Sequence, residues 1–152
     1  MSSIEKSITV NVPVQTAYNQ WTQFEEFPKF MEGVISIQQL NDKQMRWRTN
    51  VGGVEKEFIT EITEQIPDAR IAWRTQGGEH HAGVVTFHRL NDHQAKVMLQ
   101  MEYEPQGAME KAGDMIGMTS RRVEKDLERF KEFIERRGTE TGAWRGEINR
   151  PA

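Results

Sequence analysis

Apolar and polar residues alternate along most of this chain, and the runs are separated by short turn signals. Ser7 to Val12 places Ile8, Val10 and Val12 on one face, and Pro13 ends the run. Thr16 to Phe24 follows with helical spacing, Ala17, Trp21 and Phe24 sharing a side. Glu25 to Phe30 reads as a second helical turn containing Pro28, and Gly33 closes it. Strands are then expected at Val34 to Leu40, Gln44 to Val51, Val54 to Ile66, Arg70 to Thr75, His81 to Leu90 and Ala95 to Tyr103. Asn41-Asp42, Gly52-Gly53, Pro67-Asp68, Gly77-Gly78 and Asn91-Asp92 supply the turns. Connections this short predict an antiparallel meander with one wet face.

Within it, Met45, Trp47, Thr49 and Val51 share a face, as do Ile71, Trp73 and Thr75, and Ala95, Val97, Leu99, Met101 and Tyr103. Val54, Phe58, Ile62 and Ile66 fall on one face of the third meander strand, and Lys56 and Glu64 fall there too. If that face points inward, these two charges are candidate acids or bases. Arg46, Arg48 and Arg74 alternate with Trp47 and Trp73 and are expected in water.

Pro105-Gln106-Gly107 breaks the pattern and launches a long helix, Met109 to Arg137. Gly138 suits a helix C′ position, and Arg136 and Arg137 complement the helix C-terminus. The two halves of this helix differ. Val123, Leu127, Phe130 and Ile134 form a firm apolar stripe in the back half, whereas the front half is small and soft: Met109, Ala112, Gly113, Met115, Ile116, Gly117, Met118. Methionine packs adaptably, so this half suits a ligand better than a rigid core. Ser120 interrupts the apolar face between the halves. The outer helix face carries i, i+4 charge pairs such as Arg122–Asp126 and Glu132–Arg136.

The architecture is α+β, with one domain over 1–138 and a polar tail over 139–152. Only the terminal helix is long enough to cover the meander. Within the tail, Trp144 and Ile148 stand four apart and either dock back on the domain or on a neighbouring subunit, or hang free.

Composition narrows the function. The chain has 152 residues with a net charge of -3, so it lacks the basic face of a nucleic-acid binder. It has no cysteine, which excludes disulfides, thiolate metal sites and a cysteine nucleophile. His80, His81, His88 and His93 do not form a recognisable metal site, and no cofactor is expected. There is no Ser-His-Asp arrangement and no phosphate loop. Met1-Ser-Ser-Ile-Glu-Lys has no signal-peptide character, and no apolar run approaches the roughly 18 residues of a membrane span. A cytoplasmic monomer or weak homodimer without an integral membrane segment is expected.

The segment Thr9-Val10-Asn11-Val12-Pro13-Val14, then Ala17-Tyr18, then Trp21-Thr22-Gln23-Phe24-Glu25-Glu26-Phe27-Pro28-Lys29-Phe30-Met31, resembles the opening of the polyketide cyclase/dehydrase and coenzyme-Q-binding START-like proteins. Ile71-Ala72-Trp73-Arg74 and Gly83-Val84-Val85-Thr86-Phe87 match the same pattern. The resemblance, to the START/Bet v 1-like (SRPBCC) superfamily, covers about Ile4 to Arg137 and implies a helix-grip fold: an antiparallel sheet of about seven strands wrapped around the C-terminal helix.

Members of that superfamily include lipid and quinone carriers and polyketide aromatases, so the resemblance implies a cavity between sheet and helix. Trp47, Phe58, Trp73, Met101, Tyr103, Met109, Met115 and Met118 are the expected apolar lining. Thr49, Thr60, Thr75 and Ser120 offer polar contacts. The expected partner is an apolar or aromatic small molecule such as a lipid, quinone or polyketide-like compound. Cyclisation or dehydration of a poly-β-ketone in the same cavity is the alternative, and no catalytic residue is assigned.

Overall fold

The computed structural model of the chain describes the backbone of residues 2–51, 53–76, 81–103 and 112–148, and the side chains of residues 3–50, 53–76, 82–102 and 120–148. Seven antiparallel strands form one sheet. They are β1 (Ser2–Val10), β2 (Val34–Gln39), β3 (Gln44–Val51), β4 (Val54–Ile66), β5 (Arg70–Gln76), β6 (His81–Asn91) and β7 (Gln94–Tyr103), in the order β1-β7-β6-β5-β4-β3-β2. Two short helices follow β1: α1 (Val14–Trp21) and a 3₁₀ helix (Phe24–Lys29). The terminal helix α2 (Ala112–Arg137) crosses the sheet. This is the helix-grip fold.

The elements fall close to where the alternation put them, with two instructive shifts. β1 starts at Ser2 instead of Ser7, because β7 is long enough to pair with it from Ser2↔Tyr103 to Val10↔Ala95. α1 starts at Val14, with Pro13 as its cap, because proline is tolerated where no helical N–H is needed.

The back half of α2 acts as the expected clamp. Val123, Leu127, Phe130 and Ile134 are all buried in the core. Polar ties fix its register on β1: Lys6 pairs with Glu124 at 3.3 Å, Lys131 Nζ donates to Thr9 O at 3.1 Å, and the Asn11 N–H donates to Glu135 at 2.7 Å. Gly138 ends the helix with φ +76° while its N–H donates to Ile134 O at 2.9 Å, the left-handed stop that glycine adopts without penalty.

Alternation reverses inside β4. A bulge between Ile62 and Glu64 inserts one extra residue against β5. Past it, Gln65 points inward and is buried, whereas Glu64 turns out and pairs with Arg70 at 2.8 Å. The expected inward face Val54–Phe58–Ile62–Ile66 therefore holds only in its middle. Val54 is 57% exposed near the hairpin tip, and Ile66 is half-buried. Bulges in β2 and β6 likewise leave Ile35 and Leu90 in solvent.

Candidate functional site

The inner face of the sheet is closed at one end by aromatic packing. At the sealed end, Trp21, Phe27, Phe30, Phe87 and Phe130 pack ring to ring beneath α2. Moving toward the first half of α2, the inward side chains of Trp47, Phe58, Trp73 and Met101 are only half-buried. These four are the expected lining residues that the described structure brings onto one surface.

Their geometry follows from strand register. Trp47 and Phe58 are direct cross-strand partners, and their rings lie parallel within 12° at 5.9 Å. Phe27 of the 3₁₀ helix meets Trp47 edge-on at 6.0 Å. Trp47 Nε1 donates to Thr60 Oγ1 at 2.8 Å, so the indole has its polar edge satisfied and offers its face. Thr60 and Thr75 are also cross-strand partners, and both are buried. Trp73 faces Gly83 across β5 and β6, and its ring occupies the space that a Gly83 Cβ would fill, 2.4 Å from Cζ2. Thr49 and Ser120 are half-buried on β3 and α2. The expectations for Met109, and for the side chains of Tyr103, Met115 and Met118, lie outside the described residues.

A second concavity, of about 900 Å³, crosses five strands at the row Ile4, Met101, Gly83, Trp73 and Ile62. Its walls include the outward-alternating Glu5, Glu61, Arg74 and Glu102, with the small Ala72, Ala82 and Val84 between them. It is therefore a groove on the outer surface and not the expected space between sheet and helix. Arg46, Arg48 and Arg74 sit in solvent as expected, paired with Glu57, Glu55 and Glu61.

Of the two candidate ionisable groups, only Lys56, cross-strand partner of Thr49, stays on the inner face. Lys56 is half-buried near the β3–β4 hairpin, and Glu64 is turned outward by the bulge. Sequence reasoning missed Asp126, which the charge pattern placed on a solvated helix face opposite Arg122. The carboxylate is half-buried instead, accepts the Glu32 backbone N–H, and pairs with Arg129, whose other arm reaches Glu32 at 3.0 Å. Burial pushes its pKa from an ordinary 3.8 up to about 6, despite the Glu32 amide and Arg129.

The folded state thus favours the protonated acid. The resulting penalty is absent below the ordinary value, grows between about pH 4 and 6, and is constant above. Asp126→Asn is expected to stabilise the protein by on the order of 2 kcal/mol at pH 7.5, with the gain shrinking toward zero at pH 4. Urea unfolding at the two pH values tests this, and a gain equal at both would show that ionisation is not its source.

Among the described residues no group of three His, Cys, Asp or Glu side chains is arranged to hold a metal. No helix among them is long and apolar enough to cross a membrane.

A family model matches most of the chain. The model describing polyketide cyclase/dehydrase and lipid transport matches residues 10–132. The chain belongs to that family. Within it, an uncharacterised 17.2 kDa protein of Streptomyces lincolnensis is 61% identical over 149 residues, 97% of this chain and 99% of that one. The crystal structure of the Zhui aromatase/cyclase from a Streptomyces species is similar with a TM-score of 0.77 at 16% identity, over 94% of this chain and 99% of that chain. A START superfamily protein from Mycobacterium smegmatis gives 0.65 at 16%, over 84% and 97%. At such identities the two structures share the fold with this family member, and the fold does not set the chemistry.

Proposed function

We propose that this protein binds an apolar or aromatic small molecule, of the lipid, quinone or polyketide-like kind, against the inner face of the sheet beneath the first half of α2. One observation carries the reading. The described inner face carries two half-buried apolar pairs, Trp47 with Phe58 on β3 and β4, and Trp73 with Met101 on either side of Gly83, with the Thr60–Thr75 pair between them and a sealed aromatic core beside them. Large rings left partly uncovered next to a closed core suit a ligand whose burial completes the packing. The threonine hydroxyls and the Trp47–Thr60 pair supply the few polar contacts that orient such a molecule.

The alternative is cyclisation or dehydration of a poly-β-ketone, which is favoured by the name of the Zhui aromatase/cyclase. That chemistry calls for an acid or base positioned in the cavity. The described floor offers hydroxyls and an indole, with Lys56 at its hairpin end, and the candidate acid Glu64 faces outward. Binding without turnover is therefore the better-supported reading.

The test is native mass spectrometry of protein purified from its own host, with extraction and identification of bound material. Titration with a fatty acid, a quinone and an aromatic polyketide, read by tryptophan emission, extends it. A bound compound and saturable quenching are expected. Met101→Trp, which fills the floor, should weaken binding at least tenfold, about 1.4 kcal/mol, without lowering thermal stability by more than a few degrees. Recovery of nothing, with no response to any of the three ligands, sinks the binding reading. Consumption of a poly-β-ketone by the purified protein would replace it with the enzymatic one.

A further inference from the structure

Helix α1 buries side chains that its own sequence pattern would leave in water. Asn19 is 8% exposed and Gln20 is 0% exposed, although neither lies among the apolar residues Ala17, Trp21 and Phe24 that mark the helix's core side. A buried amide is costly unless its donors and acceptors are met. Here they are met by one segment, the chain following Gly138.

Gln20 Nε2 donates to Thr141 Oγ1 at 3.1 Å, and Gln20 Oε1 accepts the Thr141 N–H at 2.8 Å. Asn19 Nδ2 donates to Glu140 at 2.9 Å, and Asn19 Oδ1 accepts from Arg145 at 2.6 Å. The Trp144 N–H donates to Thr22 Oγ1 at 3.0 Å. The second guanidinium nitrogen of Arg145 donates to Asp68 in the β4–β5 turn at 2.8 Å, while the group lies 5.5 Å over the Tyr18 ring.

The segment ends on the sheet. β3 pairs with β4 only as far as Glu61, which leaves the edge beyond the bulge open. Ile148 takes that edge. Its N–H and C=O both bond to Gln65, at 2.9 and 2.7 Å, and its side chain is buried in the core. An uncovered strand edge invites pairing with another chain, and this one is closed in cis. The turn at Gly138 leaves only Thr139 between the helix stop and the first α1 contact at Glu140. So short a connection favours docking on the same molecule.

The kind of contact matters as much as the number. The segment is held by polar bonds, the buried Ile148 and the half-buried Trp144, whereas the sheet–α2 interface is held by large apolar side chains. Polar, partly solvent-accessible contacts open at lower free energy than a packed core. We propose that residues 139–148 form a latched strap, with Arg145 as the latch, and that the strap opens as one local unit while α1, the sheet and the back half of α2 stay folded. α1 stays in place because Ala17, Tyr18 and Trp21 are buried in the core.

Hydrogen exchange read by mass spectrometry on the full chain tests the proposal, comparing the wild type with Arg145→Ala and Ile148→Asp. The amides of Thr141, Trp144, Ile148 and Gln65, which are bonded across the strap, are expected to exchange at least tenfold faster in Arg145→Ala, with those of α1, β6, β7 and residues 123–134 unchanged. Ile148→Asp should show the same selectivity with a larger factor, and its failure to fold would leave the outcome with Arg145→Ala. Unchanged exchange of these four amides in Arg145→Ala overturns the proposal. Uniform acceleration across all protected amides overturns it too, because the strap would then open only with the whole domain.

Discussion

Truncating Phe130 to alanine is expected to cost about 4 kcal/mol of folding free energy. The side chain is 0% exposed in the back half of α2. Its ring meets Trp21 at 5.0 Å and Phe30 at 5.3 Å, so it joins the helix to both short helices at once. The cost depends on whether neighbours can fall into the space. Trp21 is held on its other sides by Phe27 at 5.4 Å and Phe87 at 6.3 Å, and Phe30 is held by Phe27 and Phe133. A cavity walled by interlocked rings collapses poorly, which places this substitution toward the upper part of the range for aromatic truncation. Urea unfolding with an unchanged m-value reads the loss directly. A loss below about 1 kcal/mol would show that the aromatic cluster repacks freely and that α2 is not the clamp described.

Gly83→Val is the second large effect, with an expected cost of about 3 kcal/mol, at the high end for overpacking. A Cβ at this position meets Trp73 Cζ2 at 2.4 Å, Trp73 Cη2 at 2.7 Å and the Gln100 carbonyl oxygen at 3.0 Å. Neither obstacle is soft, since one is a rigid indole and the other is sheet backbone. Gly83→Ala provides the sign test. In an unobstructed strand, replacing glycine by alanine gains roughly 0.5–1 kcal/mol, so a loss here isolates the steric term. Because the indole must leave its seat, Trp73 emission should shift in both variants, and ligand quenching should weaken with it. Unaltered emission alongside full stability would mean that the ring does not rest on Gly83.

Much of this fold is legible along the chain because its signals are local. Alternation marked each meander strand to within a residue or two, and the turn residues separated them. The stripe Val123, Leu127, Phe130, Ile134 is buried as its spacing implies, and Gly138 ends the helix where a C′ glycine is expected. The floor residues Trp47, Phe58, Trp73 and Met101 also follow from alternation, since each lies on the inward face of its own strand. Family membership rests on motifs of the same local kind.

The corrections all involve partners distant in sequence. Thr63 reads as an ordinary strand residue. It becomes a bulge because β4 must pair with β5 in one register before it and another after it, and that single insertion moves Glu64 out and Gln65 in. Asn19 and Gln20 read as a wet helix face. They are buried because Glu140, Thr141 and Arg145, more than 120 residues later, return to meet them. Asp126 reads as one charge among many on an exposed helix, yet the Glu32 loop closes over it.

The sequence by itself determined the element order, the inward faces and the helix clamp. Each of these depends on periodicity and turn chemistry within a few residues. The tertiary structure alone decided which polar groups are buried. That burial is set by where another segment's hydrogen-bond donors and acceptors arrive, a pairing that no local pattern encodes.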